Sequence, residues 1–267
     1  MANKPIGFFA GFFLLVGAVS LSAATPAWGA VTRNKLASNK LASNKLASNR
    51  LSSNRLSSNA LSSNALEADP SSAPLLATAD GRDVYSYIVG CALAGGLGLA
   101  ADWADHKLAS KDERWVSACV FARVNLHDTS EAISLRGDHP GLAVGQDEAE
   151  LYTLEEGAFY GNLFTHEDDP IDWNACRGVS EAAGGEPGGL ALRDCTEPDP
   201  ADATKTLCGF NFAGDCSDYT PMFPSPYACR TFDPSQGVYG ACHTSPGDGH
   251  WPKLKTYREV ITVFVSN

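Results

Sequence analysis

A cluster of cysteines in the second half of the chain constrains the fold more than any other feature. Six of the eight cysteines lie between positions 176 and 242: Cys176, Cys195, Cys208, Cys216, Cys229 and Cys242. Gly, Pro, Asp and Ser surround them, and long apolar runs are few. Such a segment buries too little surface to hold one shape by itself, so it depends on covalent cross-links. The sequence therefore predicts a small, disulfide-rich and loop-rich region here.

The number and spacing of the cysteines favour four disulfides over a zinc site. Eight is an even number, and the two remaining cysteines are Cys91 and Cys119. Because each of these two lies on a predicted helix apart from the others, we expect them to pair, whereas the pairing of the other six stays open. A structural zinc site is the competing interpretation, but the chain has no C-x-x-C spacing. We therefore predict no metal and no cofactor.

The first 30 residues have the pattern of a secretory signal peptide. Lys4 precedes an apolar run from Ile6 to Leu21, and small residues at 22–30 offer cleavage sites. The run of about 16 residues is shorter than the ~20 that a membrane-spanning helix needs, so cleavage is expected rather than an uncleaved anchor. The predicted location is secreted, extracellular or in the periplasm or cell envelope, which suits the cysteines because disulfides persist outside the reducing cytoplasm.

A five-residue repeat occupies residues 34–66 of a predicted arm at 31–66. Asn opens each unit and Leu follows two places later. Successive leucines would lie about 140° apart on a helix and on alternate faces of a strand, so neither structure gives an apolar stripe. A period of five fits one side of a square β-helix, and the arm resembles pentapeptide repeats. It departs from that family in having Asn at the inward position that a small residue usually occupies. Seven repeats are few for a solenoid, so a short coil and a disordered arm both stay open.

Charge divides the chain into a cationic arm and an anionic body. All 31 acidic residues lie after position 66, together with 13 basic ones, so residues 67–267 carry a net charge of −18. Five basic residues of the arm come directly before a repeat leucine: Lys35, Lys40, Lys45, Arg50 and Arg55. We expect them to bind an anionic envelope polymer, or extracellular nucleic acid without sequence specificity. Docking of the arm on the acidic body is the alternative.

A linker at 67–80 is predicted to lead into a disulfide-stabilised globular domain at 81–267. The predicted elements are helices at Asp83–Leu93, Lys111–Asn125 and Asp147–Tyr160 and strands at Ala132–Leu135 and Tyr257–Val265. The last strand is uninterrupted and apolar, so it is expected to be buried on both faces. The predicted fold class is α+β with much irregular structure.

Residues 80–267 resemble an uncharacterised group of secreted, cysteine-rich bacterial proteins in four stretches. These are ERWVSACVFARVN, EEGAFYGNLF, WNACRG and REVITVFV. The resemblance implies a domain boundary near residue 80 and brings no known activity.

Motifs of familiar catalytic chemistry are absent from the sequence, including GxSxG, HExxH, the P-loop and the EF-hand loop. Two groups of histidines and acids could still form a site. They are His166, Glu167, Asp168, Asp169 and Asp172 in one loop, and His243, Asp248 and His250 in another. Carboxylates of the first loop suit a hard cation such as calcium, and the second loop lies beside the last cysteine. Solvated surface loops are the plainer explanation of both.

These features predict a secreted or cell-envelope-associated, non-catalytic binding or surface protein. One alternative is a secreted hydrolase of unfamiliar type that uses the two His/Asp loops. Another is an envelope protein held by its N-terminus, with the arm as a spacer. Convergence of the two loops on one site would favour the hydrolase. No stable membrane-spanning segment is expected after signal cleavage, and the oligomeric state stays open.

Overall fold

The computed structural model describes ten stretches of the chain. They are residues 31–34, 36–37, 73–104, 106–126, 131–165, 171–178, 195–216, 228–233, 237–244 and 255–266. The predicted signal peptide and most of the repeat arm lie outside the described residues.

Helices and strands are mixed in the described residues, which confirms the predicted α+β class. The helices are α1 (Ala73–Leu76), α2 (Ala79–Ala92), α3 (Ser110–Ala122) and α4 (Gln146–Leu151), with 3-10 turns at Ala101–Ala104 and Pro140–Leu142. The strands are β1 (Val31–Asn34), β2 (Leu36–Ala37), β3 (Val124–Asn125), β4 (Glu131–Arg136), β5 (Leu154–Asn162), β6 (Asp172–Arg177), β7 (Pro198–Asp199), β8 (Asp202–Thr206), β9 (Asn211–Asp215), β10 (Cys229–Asp233), β11 (Val238–His243), β12 (Thr256–Tyr257) and β13 (Ile261–Val265).

One large sheet organises these elements. Its strands lie in the order β1-β4-β13-β5-β6-β9-β8-β7, and neighbouring pairs are antiparallel except β6 and β9, which are parallel. A second, antiparallel sheet contains β10, β11 and β12, and β2 pairs with β3 in parallel. β13, near the end of the chain, lies between β4 and β5 and pairs with both, so it joins β1 and β4 to the rest of the large sheet.

The large sheet carries a separate core on each face. On β5, Phe159 packs with the buried sides of α2 and α3, whereas its neighbours Ala158 and Tyr160 belong to the other core. This alternation follows from the period of two that a strand imposes. We call the first the helix core and the second the cystine core. The cystine core comprises Ala158, Tyr160, Cys176, Ala213, Cys216, Ala228, Cys229, Tyr239, Cys242, Tyr257 and Val260.

The two longest helices among the described residues form near their predicted positions. α2 begins four residues earlier than predicted, where the Thr78 hydroxyl accepts a hydrogen bond from Gly81 N at 2.9 Å and caps the helix. α3 ends at Ala122 rather than Asn125, because Val124–Asn125 pairs with β2 as β3. Eight consecutive residues at the end of α3 are buried, so it lies deep between α2 and the sheet.

The prediction of a helix over Asp147–Tyr160 is wrong beyond Leu151. α4 ends there, and Leu154–Asn162 forms β5 between β13 and β6. Gly157 and Gly161 have φ angles of 156° and 141°, which glycine adopts readily and a helix does not use. A glycine inside a helix also costs about 1 kcal/mol relative to alanine. Pairing on both sides therefore outweighs the acidic start that suggested a helix.

Both predicted strands are confirmed, with different ends. β4 extends the predicted Ala132–Leu135 by one residue on each side. All five residues of β13 are buried, as expected for a strand covered on both faces. Tyr257, however, belongs to β12 in the second sheet, so residues 258–260 connect two sheets instead of continuing one strand.

Four disulfides cross-link the described residues, and no described cysteine is free. They are Cys91–Cys119, Cys176–Cys216, Cys195–Cys208 and Cys229–Cys242. The predicted Cys91–Cys119 pair is confirmed and joins α2 to α3, and the other six cysteines pair among themselves. The segment that contains these six is more regular than predicted, because β6 to β11 lie in it. Disulfides of this kind are typical of proteins outside the reducing cytoplasm.

Described elements of the domain lie on both sides of the repeats of the predicted arm. β1 lies on the edge of the large sheet, paired with β4 from Val31↔Ser134 to Asn34↔Glu131. α1 and the start of α2 lie within the predicted linker, and Leu76 packs against the helix core. The chain between residues 37 and 73 is therefore bracketed by elements of the same domain.

Candidate functional site

A polar cluster lies where the ends of β6 and β11 meet β12. Asp172 is the first residue of β6, and His243 is the last residue of β11. β12 pairs with β11 so that His243 faces Thr256 and Cys242 faces Tyr257. We call this group the β12 cluster. Its members are Tyr160, Asp172, Asn174, His243, Lys255, Thr256 and Tyr257.

Asp172 accepts hydrogen bonds from three side chains of the cluster. Its Oδ2 accepts from Lys255 Nζ at 2.7 Å and from the Tyr257 hydroxyl, and its Oδ1 accepts from Asn174 Nδ2 at 2.8 Å. The Lys255 ammonium also lies 5.1 Å from the centre of the Tyr257 ring. Both carboxylate oxygens of Asp172 are therefore engaged.

Burial and hydrogen bonding act in opposite directions on the pKa of Asp172. Burial raises it, but the hydrogen bonds from Lys255, Tyr257 and Asn174 outweigh burial and hold the pKa below its ordinary value. Burial raises the pKa of Tyr257, and its bond to the Asp172 carboxylate raises that pKa further. At neutral pH Asp172 is thus a carboxylate that accepts a hydrogen bond, and Tyr257 is a neutral phenol that donates it.

The cluster continues across the sheet through amide side chains. Asn174 Oδ1 accepts a hydrogen bond from Asn211 Nδ2 at 3.3 Å, and Asn211 Oδ1 accepts from Lys205 Nζ. Since Asn211 and Lys205 lie on β9 and β8, the polar chain crosses β6, β9 and β8. Buried Asn174 is bonded through both its amide nitrogen and its oxygen, as a buried amide requires.

Tyr160 joins the cluster to the centre of the large sheet. Its hydroxyl donates to the backbone oxygen of His243 at 2.6 Å, and its ring centre lies 5.9 Å from that of Tyr257. Complete burial, and then the charge of Asp172, raise the pKa of Tyr160. The His243 ring bonds through Nδ1 to the Thr256 hydroxyl at 2.9 Å. Two buried tyrosines thus fix the positions of β11 and β12 over β5.

The structure brings together one residue from each of the two predicted histidine loops. Asp172 of the first and His243 of the second both bond to β12. The remaining members lie outside the described residues: His166, Glu167, Asp168, Asp169, Asp248 and His250. The arm cations Lys35, Lys40, Lys45, Arg50 and Arg55 also lie outside them.

Sequence reasoning missed the residues that complete the β12 cluster. The sequence places Tyr257 at the start of a predicted buried strand, and no predicted site includes Tyr160 or Asn174. The bond between Tyr257 and Asp172 spans 85 positions in the chain, and no local pattern encodes such a pairing. Only a conserved contact in an alignment or a structure would find it.

The geometry of the β12 cluster suits a cross-link better than a catalytic base. A general base needs a pKa near the operating pH and an oxygen directed at its substrate. Asp172 has a lowered pKa and accepts three hydrogen bonds from its own chain. Through these hydrogen bonds Asp172 links β6 to β12 and to Lys255, which precedes β12.

Comparison of the chain with protein-family models, with curated proteins and with solved structures found no match in any of the three. The resemblances to pentapeptide repeats and to secreted bacterial proteins therefore stay predictions. None of the helices in the part of the chain that the structure describes has the length and apolar character that crossing a membrane would need.

Proposed function

We propose that the protein is a secreted or cell-envelope-associated binding protein whose cationic repeat segment binds an anionic polymer. The observation that supports this proposal is that described elements of one domain lie on either side of residues 38–72, with β1 and β2 before them and α1 after them. Residues 38–66 contain no acid, and four of the five repeat cations lie there.

The cross-linked domain is the base on which the repeat segment is held. Four disulfides and two cores stabilise the sheet that contains β1 and the helices that follow the repeat segment. Fixing the residues on both sides of a segment lowers the conformational entropy that it loses on binding. A polymer with many anionic groups suits the repeat segment because its cations recur at a regular interval in the sequence.

The binding is expected to be collective and sensitive to salt. Single exposed ion pairs are worth only ~0–1 kcal/mol, so several cations must act together. Salt shortens the range of such interactions to about 10 Å at 0.1 M and ~3 Å at 1 M. Docking of the repeat segment on the acidic body of the same protein is the competing possibility, and it has the same salt dependence.

A charge-removal variant tests the proposal. Its substitutions are Lys35→Ala, Lys40→Ala, Lys45→Ala, Arg50→Ala and Arg55→Ala. The matched control exchanges Lys and Arg at the same five positions and so keeps every charge. We expect the control to bind immobilised heparin or lipopolysaccharide like the unchanged protein and to be released by about 0.5 M salt, where screening is strong. The alanine variant should not bind.

Two results would contradict this proposal. Equal retention of the alanine variant and the control would show that the arm is not the binding element. Binding that survives high salt would show that charge is not its cause. A shortened chain that begins at Glu67 is a poorer test, because it also lacks β1 and leaves the edge of β4 unpaired.

A hydrolase that uses the β12 cluster is the second candidate. The observation in its favour is that Asp172 and His243, from the two predicted loops, bond to the same two-residue strand. Its test is a screen of the oxidised protein against ester, glycoside and peptide substrates, with a His243→Gln variant. Activity that this variant loses while its unfolding transition is unchanged would favour the hydrolase. Activity unaffected by the change would remove the β12 cluster from consideration.

A further inference from the structure

Two disulfides of the cystine core lie in direct contact. The Sγ atoms of Cys176 and Cys229, which belong to different disulfides, are 3.4 Å apart. The sulfurs of Cys176, Cys216 and Cys229 all lie within 4.8 Å of one another. Cys242 is bonded to Cys229 and is completely buried. Four sulfurs from three parts of the chain therefore share one small buried volume.

Backbone pairing holds these four cysteines together independently of the sulfur–sulfur bonds. Cys229 pairs directly with Cys242 between β10 and β11. Cys216 N donates to the backbone oxygen of Arg177, next to Cys176, at 2.8 Å, and Cys229 N donates to Cys216 O at 3.0 Å. Reduction breaks the sulfur–sulfur bonds and loosens this core, but the same backbone hydrogen bonds can re-form and bring the four thiols together around an ion.

We propose that Cys176, Cys216, Cys229 and Cys242 form a Zn²⁺ site when both disulfides are reduced. Zinc binds four thiolates tetrahedrally at ~2.3 Å, which places the sulfurs about 3.8 Å apart. Three of the sulfurs already lie within 4.8 Å, and the fourth is attached to one of them. The spacing of these cysteines in sequence gave no zinc motif, because the site is assembled from β6, the end of β9 and the β10–β11 hairpin.

The proposed conversion balances with a dithiol as the reductant. Two equivalents of dithiol break the two S–S bonds, deliver four electrons and four protons to the sulfurs, and end as their own disulfides. Zn²⁺ then displaces four protons and binds four thiolates, which gives a centre of charge −2. Two equivalents of a small-molecule disulfide reverse the process: they take up four electrons from the thiolates and four protons from water, the two protein disulfides re-form, and the ion is released. The cluster would therefore hold either two disulfides or one zinc ion.

The other four cysteines supply a matched control, since they lie in the helix core. One variant keeps only the proposed site and carries Cys91→Ala, Cys119→Ala, Cys195→Ala and Cys208→Ala. The second keeps only the other four and carries Cys176→Ala, Cys216→Ala, Cys229→Ala and Cys242→Ala. Both have the same number of thiols, so a chain that chelates metal without structure would bind equally in both.

The experiment titrates each reduced variant with Zn²⁺ and Co²⁺ in the presence of a phosphine reductant. We expect the first variant and the reduced unchanged protein to bind one tightly held ion, with thiolate-to-Co²⁺ charge-transfer absorption of a tetrahedral sulfur site. Circular dichroism should show β-structure regained on binding. The second variant and the fully oxidised protein should not bind. No binding by the first variant, or equal binding by both variants, would overturn the proposal.

Discussion

Asp172 shows how one carboxylate holds three parts of the chain in place. It accepts hydrogen bonds from Asn174 on its own strand, from Lys255 before β12 and from Tyr257 within β12. Charge-assisted hydrogen bonds of this kind contribute more to stability than neutral ones, and only 20% of the Asp172 side chain is exposed. Asp172 thus links β6 of the large sheet to β12 of the second sheet through its side chain.

We predict that Asp172→Asn destabilises the oxidised protein by about 2 kcal/mol at neutral pH, the usual worth of hydrogen bonds to a charged group. Because the folded-state pKa of Asp172 lies below its unfolded value, its stabilisation is present above that unfolded value, ~4, and is lost as the pH falls through the folded pKa. The difference between the variant and the unchanged protein should therefore shrink in acid. Urea unfolding from pH 7 to about pH 2 measures it.

Asp215→Asn is the matched control for this prediction. Asp215 pairs with Arg177 at 2.8 Å, but half of its side chain is exposed, so solvent screens the pair. We expect its loss to change stability by less than about 0.5 kcal/mol, as for most surface substitutions. Equal effects of the two changes, or a difference at Asp172 that does not depend on pH, would contradict the role given to the cluster.

At the scale of elements, β1 connects the repeat segment to the fold. Four consecutive residues, Val31–Asn34, pair with β4 and cover an edge of the large sheet that would otherwise be open. The arm is therefore not separate from the domain, because its first described residues belong to the sheet.

We predict that removing β1 and β2 lowers stability, whereas removing the repeats does not. A chain that begins at Glu67 should lose about 2 kcal/mol, since each net backbone hydrogen bond is worth roughly 1 kcal/mol. Its control lacks residues 41–66 but keeps β1 and β2. Hydrogen exchange at β4 should become faster in the first chain alone. Unchanged protection of β4 in the chain that begins at Glu67 would show that β1 adds nothing to the sheet.

For the molecule as a whole, the disulfides are divided between the two cores. Cys91–Cys119 and Cys195–Cys208 lie in the helix core, which also contains long helices and the rings of Phe121, Phe159 and Trp173 packed around Phe210. Cys176–Cys216 and Cys229–Cys242 lie in the smaller cystine core, covered by the short strands β10 to β12. The cystine core therefore depends more heavily on its cross-links.

We predict that the purified protein has no free thiol and that reduction loosens the cystine core first. Each disulfide is typically worth ~2–4 kcal/mol, and whole domains have only ~5–15 kcal/mol of stability. Thiol titration of the denatured, unreduced protein checks the first part. Limited proteolysis with increasing dithiol, in the presence of a zinc chelator, checks the second and should cut between β9 and β12 before α2 or α3. Earlier cutting in the helices would contradict it.

The sequence by itself indicated four disulfides, the α+β class, α2, α3 and β13. These follow from local rules: an even number of cysteines, apolar residues at helical spacing, and an uninterrupted β-branched run. Such signals are patterns of residues close together in the chain, so they can be recognised without knowing the distant partners that stabilise each element. The pairing of Cys91 with Cys119 was predictable for the same reason, since both lie on helices that the sequence indicates.

Only the tertiary structure decided that residues 154–162 form a central strand, that β1 belongs to the sheet, and that Tyr257 bonds to Asp172. In each case a deciding partner lies far away in sequence: β13 for β5, β4 for β1, and Asp172 for Tyr257. Burial between two neighbouring strands outweighs the helix preference of a few residues, because intrinsic propensities differ by less than about 1 kcal/mol per residue. The four-sulfur cluster likewise exists only in three dimensions, where backbone hydrogen bonds bring β6, β9 and the β10–β11 hairpin together.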